Sequence, residues 1–358
     1  MESIRLPNYR IGNGIVLQSA EVFKEYGSRA LVIGGKKAFE AALEQVKTAC
    51  AEVGVEIAAI EWYGGECTYE NADRLADIGR AAGADLIIGI GGGKALDTAK
   101  CAANRMDVPI ITVPTIAATC AAITSLSVMY LADGTHNGDM FHKQPASCAL
   151  IDLDIIAHAP SCYLRAGMGD AMAKHVESMM ASRGRTLTHT CTLAVTIGRT
   201  AFYPILQYGV QAMKDVDAGI ASEALKQVVL SNIISTGLTS ILIEDIYNGA
   251  VAHATFYALT HIPDFERTHL HGDTVGFGIL VQQMLDGQMD SFRELRKFFA
   301  AVGIPLTVKE MGIELTDELL EKIIPAAIKL IEDNRVMPYE ITQKMYADAM
   351  WAVENYQE

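Results

Sequence analysis

The sequence predicts two domains of different class, an α/β domain with a mostly parallel sheet followed by an all-α domain. Short Val- and Ile-rich runs alternate with helix-length segments up to Asp154, the strand signal then stops, and the remaining sequence has helical spacing of its apolar residues. The length of 358 residues also suits two domains. A proline before a new helix is a natural break, so we expect the domains to span 1–159 and 160–358.

Six apolar runs predict the strands of the first domain. Between the early runs, 37–53, 71–82 and 95–106 carry apolar residues at the spacing of helices. Strands that alternate with helices of this length indicate right-handed βαβ crossovers and a parallel sheet. The predicted strands are 30–34, 57–61, 85–90, 108–113, 126–130 and 147–152.

The second half contains seven segments that read as helices. No run between them has the alternation or the β-branched content of a strand. We therefore expect this half to be all-α. The predicted helices are 163–182, 186–213, 222–242, 248–259, 274–283, 291–302 and 316–331.

The composition excludes several classes of partner and location. Lys and Arg total 29 against 43 Asp and Glu, which gives a net charge of −14 and excludes a generic basic surface for nucleic acid or anionic lipid. Seven cysteines without a Cys-x-x-Cys pair predict neither a disulfide framework nor structural zinc, and favour a reducing cytoplasm. The N-terminus predicts no signal peptide. The uncharged run 108–132 contains two prolines and six hydroxyls, which favours strand, loop and strand over a membrane span.

The most informative segment, 88–100, joins an apolar strand to a helix through Gly91, Gly92 and Gly93. Glycine lets a ligand approach the backbone without a Cβ clash, and the helix N-terminus offers unpaired N–H groups that suit a pyrophosphate. A plain strand-to-helix turn is the alternative, but it needs fewer glycines. The spacing matches neither the P-loop nor Gly-x-Gly-x-x-Gly. Lys94 and Asp97 share one helix face, where a ladder of charges is the alternative to a binding role.

Three segments of the second half contain potential metal ligands. Asp170 lies in a glycine-flanked segment that reads as a turn opening a helix, His253 lies on an apolar helix, and His271 precedes a glycine at the start of another helix. Two histidines and one carboxylate would make an open site for Fe(II) or catalytic Zn(II). Each residue also has a simpler explanation, such as an N-cap for Asp170 or a hydrogen-bonded core histidine for His253. Spacing alone does not decide between them.

Taken together, these motifs resemble the iron-containing alcohol dehydrogenase superfamily, specifically its glycerol dehydrogenase branch. The resemblance covers nearly the whole chain and implies an N-terminal dinucleotide-binding α/β domain and a C-terminal all-α metal-binding domain. The segments that carry it are Gly91-Gly-Gly-Lys-Ala-Leu-Asp-Thr-Ala-Lys100, Val113-Pro-Thr-Ile-Ala-Ala-Thr119, Ser125-Leu-Ser-Val-Met-Tyr130, Gly167-Met-Gly-Asp-Ala-Met-Ala-Lys174, Val251-Ala-His-Ala254 and His271-Gly-Asp-Thr-Val-Gly-Phe-Gly278.

The resemblance implies NAD(P)(H) and one divalent metal, Zn or Fe, as cofactors. It makes Asp170, His253 and His271 the metal ligands and the catalytic centre, with His253 and Cys120 facing the substrate. It also implies a homo-oligomer. The cofactor-binding residues expected on this basis are Gly35, Gly91, Gly92, Gly93, Lys94, Asp97, Thr115, Ala118, Thr124, Leu126 and Tyr130.

A first departure from the family pattern concerns the substrate. Glycerol dehydrogenases typically read Ser-Thr-Asp-Ala-Pro where this chain reads Ala118-Thr-Cys-Ala-Ala122, so Cys120 replaces an aspartate that faces the substrate there. Loss of that carboxylate relieves like-charge repulsion of a carboxylate substrate, worth on the order of 1–4 kcal/mol near a protein surface. This run is more similar to the hydroxycarboxylate dehydrogenase (2-oxo acid reductase) members. The simpler interpretation is that Cys120 is a small wall residue.

Two further departures concern the cofactor and the pocket. Relatives that prefer NAD usually place Asp where Gly35 stands, so the absence of that acid predicts that NADPH is tolerated. Lys36 and Lys37 follow it, either as 2′-phosphate partners or as a solvated helix start. The family's His-Ala-x-His-Asn-Gly is replaced here by a run with Phe256 and Tyr257 at polar positions. This change argues against an unmodified glycerol pocket.

The sequence therefore predicts a cytoplasmic, metal-dependent NAD(P)-linked oxidoreductase that acts on a CH–OH group. The predicted reaction interconverts a small 2-hydroxy acid and its 2-oxo acid, and glycerol or another vicinal diol is the alternative substrate. Two alternatives belong to other classes. One is a lyase of the dehydroquinate synthase type, which shares the architecture, and the other is a non-catalytic relative that keeps the cofactor. The expected partner is a small-molecule substrate, with no nucleic acid and no membrane.

Overall fold

The computed structural model describes residues 4–357, and the chain divides into two compact units. The first contains Met1–Ser161 and Lys214–Val229, and the second contains Cys162–Met213 and Leu230–Glu358. The division at 159/160 stays a prediction of the sequence. In the structure, residues 214–229 belong to the first unit although they follow residue 160 in sequence. The chain therefore returns to the first unit after it has entered the second.

The first unit contains a six-stranded sheet in which every neighbouring pair is parallel, in the order β1-β8-β5-β4-β2-β3. This confirms the predicted sheet. The predicted strand at 126–130 is present, but it belongs to a separate antiparallel pair, β6-β7. The strands are β1 Asn8–Gly12, β2 Arg29–Gly34, β3 Glu56–Trp62, β4 Leu86–Gly91, β5 Ile110–Pro114, β6 Leu126–Tyr130, β7 His136–Phe141 and β8 Cys148–Asp152.

Strands β1 and β7 are absent from the sequence prediction because neither has an apolar run. Strand β7 reads HNGDMF and is mostly exposed, so hydrophobic periodicity does not reveal it. The charge-free segment 108–132 forms β5, a loop and β6, as its prolines and hydroxyls predict.

The central strands are apolar at consecutive positions because helices cover both faces of the sheet. Val32 and Ile88 belong to one core cluster and Leu31 and Ile87 to the other, as the alternation of side chains along a strand requires. The α-helices that precede Ser161 are α1 Ile15–Gln18, α2 Ala20–Tyr26, α3 Lys36–Glu52, α4 Tyr69–Ala81, α5 Gly93–Met106 and α6 Leu153–Ala157.

The second half contains only helices among its described residues, which confirms the all-α prediction. The predicted helix 222–242 is divided into α9, a π-helical turn at Leu230–Ser235 and α10. The helices are α7 Ser161–Ala181, α8 His189–Asp217, α9 Glu223–Val229, α10 Thr236–Leu242, α11 Val251–Leu259, α12 Phe265–Thr268, α13 His271–Leu285, α14 Met289–Val302, α15 Asp317–Asn334 and α16 Gln343–Glu354.

One helical stretch among the described residues, Glu223–Leu242, is long and apolar enough to pass a length and composition test for a membrane span. More than half of it is buried inside the protein. Core helices of globular proteins pass the same test, so this stretch is weak evidence for a membrane.

Candidate metal centre and glycine loop

Three helices of the second unit bring Asp170, His253 and His271 together. Asp170 lies on α7, His253 lies on α11, and His271 is the first residue of α13. Their nearest ligand atoms all lie within 4.8 Å of one another. The sequence alone did not establish this cluster, because its members are far apart along the chain.

The glycines around these residues allow the helices to approach closely. Asp170 lies inside α7 and not in a turn at its start, so that expectation was wrong. A Cβ atom on Gly169 would lie 2.0 Å from the carbonyl oxygen of Gly272, and one on Gly278 would lie 2.4 Å from that of Ala252. The glycines of these motifs therefore allow α7, α11 and α13 to pack closely. This packing brings the side chains of Asp170, His253 and His271 together.

The spacing of the donor atoms fits a shared metal ion. Asp170 Oδ1 lies 3.4 Å from His253 Nε2 and 3.4 Å from His271 Nε2. These separations are long for charge-assisted hydrogen bonds. They equal the edge of a tetrahedral site with metal–ligand bonds of about 2.1 Å, which gives about 3.4 Å between ligands. Two imidazoles and one carboxylate suit Zn(II) or Fe(II) and leave a coordination position open.

Glu177 contacts the candidate metal centre but is not among the site residues that the sequence predicts. It lies seven residues after Asp170 on α7 and is only 1% exposed. Its carboxylate accepts a hydrogen bond from His253 Nδ1 at 2.5 Å, and its Oε1 accepts the backbone N–H groups of Ala250 and His253. Because a carboxylate accepts here, Nδ1 carries the proton and Nε2 is left to bind a metal. The available signal was the i,i+7 spacing of two acids on one helix face.

The charges of the cluster favour a cation. Burial opposes ionisation of Asp170, but the neighbouring imidazoles of His253 and His271 hold its pKa well below the usual range. Burial would lower the pKa of His253, yet the charge of Glu177 and the nearby Asp170 carboxylate raise that pKa to about 9. Two buried carboxylates thus draw a proton onto an imidazole in the absence of an ion. A divalent cation at this place would neutralise the same negative charge.

Phe256 packs against the His271 imidazole of this centre. Its ring centroid lies 4.3 Å from that of His271 in an edge-to-face arrangement, and Tyr257 packs against Phe256 at 5.2 Å. Phe256 is buried, while the His271 side chain remains 35% exposed. An aromatic wall therefore stands next to a ligand at the positions where the family pattern has polar residues.

In the first unit, the glycine loop fits a phosphate group by shape. Gly92 is the N-cap of α5 and supplies no side-chain cap, so the first N–H groups of α5 have no side-chain partner there. A Cβ atom on Gly92 would lie 2.6 Å from Ile116 Cδ1, and one on Gly93 would lie 3.2 Å from Thr119 Oγ1. Side chains would therefore fill the narrow space beside the helix N-terminus. This is the arrangement that binds pyrophosphates.

Several predicted cofactor residues gather around this loop. The Thr115 N–H donates to the Gly91 carbonyl at 3.1 Å, and a Cβ atom on Gly91 would lie 3.9 Å from the Gly35 nitrogen. Lys94 lies with its ammonium 4.5 Å from the centroid of the Tyr130 ring. The structure thus places these residues together in the first unit. Ala118 and Cys120 lie in the loop between β5 and β6, where Cys120 is half-buried.

Asp97 is held by contacts within its own unit. Its side chain is buried, Oδ1 lies 2.8 Å from the Lys100 ammonium, and Oδ2 accepts the Val128 N–H at 3.1 Å. Lys100 in turn donates to the Thr124 hydroxyl and carbonyl and to the Leu126 carbonyl. Burial raises the pKa of Asp97. Asp97 therefore ties α5 to β6, and a contact between its carboxylate and the cofactor stays a prediction.

The fold and the two candidate sites are those expected of a metal-containing dehydrogenase that uses a nicotinamide dinucleotide. Residues 7–153 match the family model of the iron-containing alcohol dehydrogenases. Glycerol dehydrogenase of Thermotoga maritima is 34% identical over 82% of this chain and 81% of its own length. Hydroxycarboxylate dehydrogenase A of Escherichia coli is 32% identical over 92% of this chain and 90% of its own length. The chain belongs to the iron-containing alcohol dehydrogenase family.

The solved structures agree with this assignment. The crystal structure of glycerol dehydrogenase from Schizosaccharomyces pombe matches with a TM-score of 0.87 and 28% identity, over 99% of this chain and 90% of that chain. The protein is therefore an alcohol dehydrogenase-type oxidoreductase. Enzymes of this family bind NAD(P) and a divalent metal.

Proposed function

We propose that this enzyme uses a divalent ion held by Asp170, His253 and His271 to interconvert a small 2-hydroxy acid and its 2-oxo acid with NAD(P)(H). The observation that carries the metal-dependent chemistry is the pair of 3.4 Å separations between Asp170 Oδ1 and the two imidazole nitrogens. They describe three donors around one point with a position open to a substrate oxygen.

The chain's own residues would prepare this reaction. A bound Zn or Fe ion would supply Lewis-acid polarisation of the substrate oxygen, and a bound dinucleotide would supply or accept the hydride. Glu177 holds the imidazole of His253 in the orientation that presents Nε2. The Phe256 ring packs edge-to-face on the imidazole of His271 and would limit the motion of that imidazole. The uncapped start of α5 would hold the pyrophosphate.

The acid substrate rests on Cys120. A carboxylate at this position would repel a carboxylate substrate and would accept hydrogen bonds from a polyol. Cys120 carries no charge as a thiol and thereby removes that repulsion. This argument depends on the family likeness for the orientation of position 120.

Glycerol, or another vicinal diol, is the second candidate substrate. The observation in its favour is that curated relatives at 34% and 32% identity are glycerol dehydrogenases, as close as the hydroxycarboxylate dehydrogenase. A diol and a 2-hydroxy acid both present two neighbouring oxygens, so one metal centre could serve either. The two substrates differ in charge at the second oxygen, which belongs to a neutral hydroxyl in the diol and to a carboxylate in the 2-hydroxy acid.

A spectrophotometric panel tests the proposal. Purified enzyme loaded with Zn or Fe, or treated with chelator, is assayed on 2-oxo acids, ketones and polyols with NADH, NADPH and their oxidised forms. We expect metal-dependent turnover, with higher kcat/KM on a 2-oxo acid than on glycerol. The reverse ranking would establish the diol candidate and overturn the acid substrate.

The variant Cys120→Asp sharpens the substrate test. The added charge should lower kcat/KM for the 2-oxo acid about tenfold or more, which corresponds to like-charge repulsion in a partly screened site. Cys120→Ser is the matched control, since it is polar but uncharged and should have a much smaller effect. Equal losses in the two variants would show that position 120 acts by shape.

The same assays exclude the other classes. Net consumption of NAD(P)H excludes a dehydroquinate synthase-type lyase, which regenerates its cofactor, and turnover on any carbonyl excludes a non-catalytic relative.

We also propose a cytoplasmic location, from the cysteine pattern, and a homo-oligomer, from the family likeness. NADPH is proposed as an accepted cofactor because Gly35 carries no acid. The ammonium nitrogen of Lys36, the next residue, lies 5.1 Å from the centroid of the Trp62 ring.

A further inference from the structure

Lys94 of the glycine loop already has a charged partner within its own unit. Its ammonium nitrogen lies 2.5 Å from Oε2 of Glu66, a residue that none of the sequence motifs includes. The Glu66 side chain is 27% exposed and that of Lys94 is 40% exposed. The ammonium therefore lies between a carboxylate and the face of the Tyr130 ring.

The position of Glu66 is set by its backbone. Its carbonyl oxygen accepts hydrogen bonds from the Thr68 N–H at 3.0 Å and from Asn71 Nδ2 at 3.0 Å, both at the start of α4. The carbonyl of the next residue, Cys67, accepts the Tyr130 N–H at 2.8 Å. The segment that carries Glu66 is thus tied to α4 and to the end of β6, so its carboxylate is held at Lys94.

A carboxylate at this place opposes the binding of an anion. The N-terminus of α5 favours negative charge, and Lys94, its second residue, would add an ammonium to the phosphate site. While Glu66 holds that ammonium, part of its charge is already neutralised, and the carboxylate itself adds repulsion. A phosphate must compete with Glu66 for Lys94.

We propose that Glu66 is a positioning residue that restrains Lys94 and thereby weakens dinucleotide binding, which speeds release of the bound dinucleotide. This inference rests on the proposed function, because it assumes that the glycine loop holds the cofactor's phosphates. It assigns Glu66 no contact with the reacting atoms. Its effect passes through Lys94.

Direct binding measurements test the inference without turnover. We expect Glu66→Gln to lower the Kd for NADH about two- to fivefold at low salt, as suits a partly exposed ion pair. The difference should shrink as ionic strength rises, because salt screens exposed charges. Glu61→Gln is the matched control, since Glu61 pairs with Arg74 on the same unit and not with Lys94. It should leave the Kd unchanged.

A double-variant cycle separates action through Lys94 from direct repulsion. In a Lys94→Gln background, Glu66→Gln should change the Kd by much less than it does in the wild type. An equal change in both backgrounds would overturn the positioning role. A Kd that Glu66→Gln leaves unchanged or increases would overturn the proposal as well. If the wild type bound no dinucleotide at all, the proposed function would fail instead.

Release gives a second readout that a merely structural role would not move. If release of the oxidised dinucleotide limits turnover, Glu66→Gln should lower kcat and the KM for NADH together while kcat/KM stays the same or rises. Thermal unfolding of the variant should match that of Glu61→Gln. A fall in kcat/KM with a lowered unfolding temperature would show a structural defect and contradict the proposal.

Discussion

The glycine loop and the metal centre both depend on glycine, but for different reasons. In the loop, Gly92 leaves free the space between a helix N-terminus and Ile116, and the binding groups are backbone N–H groups that follow one another in sequence. In the candidate metal centre, Gly169 and Gly272 allow helices to touch, and the proposed ligands are side chains from three helices. The first site is local and the second is assembled by packing.

This difference has a consequence for how the two sites fail. A local site that uses backbone groups tolerates the loss of a side chain elsewhere, because no side chain makes the essential contact. An assembled site needs every donor at its place and a carboxylate behind His253 to orient it. Changes in the second unit should therefore separate metal binding from dinucleotide binding.

The largest expected effect follows from removal of a metal ligand. His271→Ala should lower activity at least about a hundredfold, because two donors hold the ion poorly and the Lewis acid is lost. Metal content measured by mass spectrometry should fall, while the Kd for NADH stays within about twofold of the wild type. His261→Ala, an exposed histidine of the same unit, is the control. Full turnover by His271→Ala would refute the metal assignment.

An intermediate effect is expected at the residue behind the ligand. Glu177→Gln removes the charge that orients His253 and should lower metal affinity about 10- to 100-fold. Competition with a chelating dye measures that affinity. Glu321→Gln removes an exposed acid from the same unit and should have no effect. If metal affinity is unchanged in Glu177→Gln, the hydrogen bond to Nδ1 only holds α7 to α11.

The smallest effect is expected at the edge of the glycine loop. Gly35→Asp restores the acid that binds a ribose 2′-hydroxyl and repels a 2′-phosphate, so it should shift the kcat/KM ratio toward NADH about tenfold. The new Cβ would lie 3.6 Å from Tyr63, an ordinary contact, so the backbone can accept it. Thr48→Asp adds the same charge farther along α3 and is the control. An unchanged ratio would show that position 35 does not contact the 2′ group.

The expected effects decrease from His271, a proposed metal ligand, through Glu177, which contacts a proposed ligand, to Gly35 at the edge of the glycine loop. Loss of dinucleotide binding in His271→Ala would show that the two sites are coupled. Loss of metal in Gly35→Asp would do the same from the other side. Independent responses would show that each unit builds its own site.

Local pattern alone determined the class of the first unit and its glycine loop. Helices cover both faces of the sheet, so its central strands are continuous apolar runs. The three glycines join the end of β4 to the start of α5. The polar strand β7 has no such pattern and was not predictable. The helical second half was predictable from spacing, although the π-helical turn at Leu230–Ser235 was not, because the helical spacing runs through it without a break.

The tertiary structure alone decided which polar residues meet. Helical spacing places Asp170 and Glu177 on one face of α7, but only the close approach of α11 and α13 puts His253 between them and His271 beside it. In the same way, nothing near Lys94 in sequence indicates Glu66, and nothing near Asp97 indicates the donor N–H of Val128. Local propensity depends on neighbours along the chain, whereas charges and hydrogen bonds depend on distance in space.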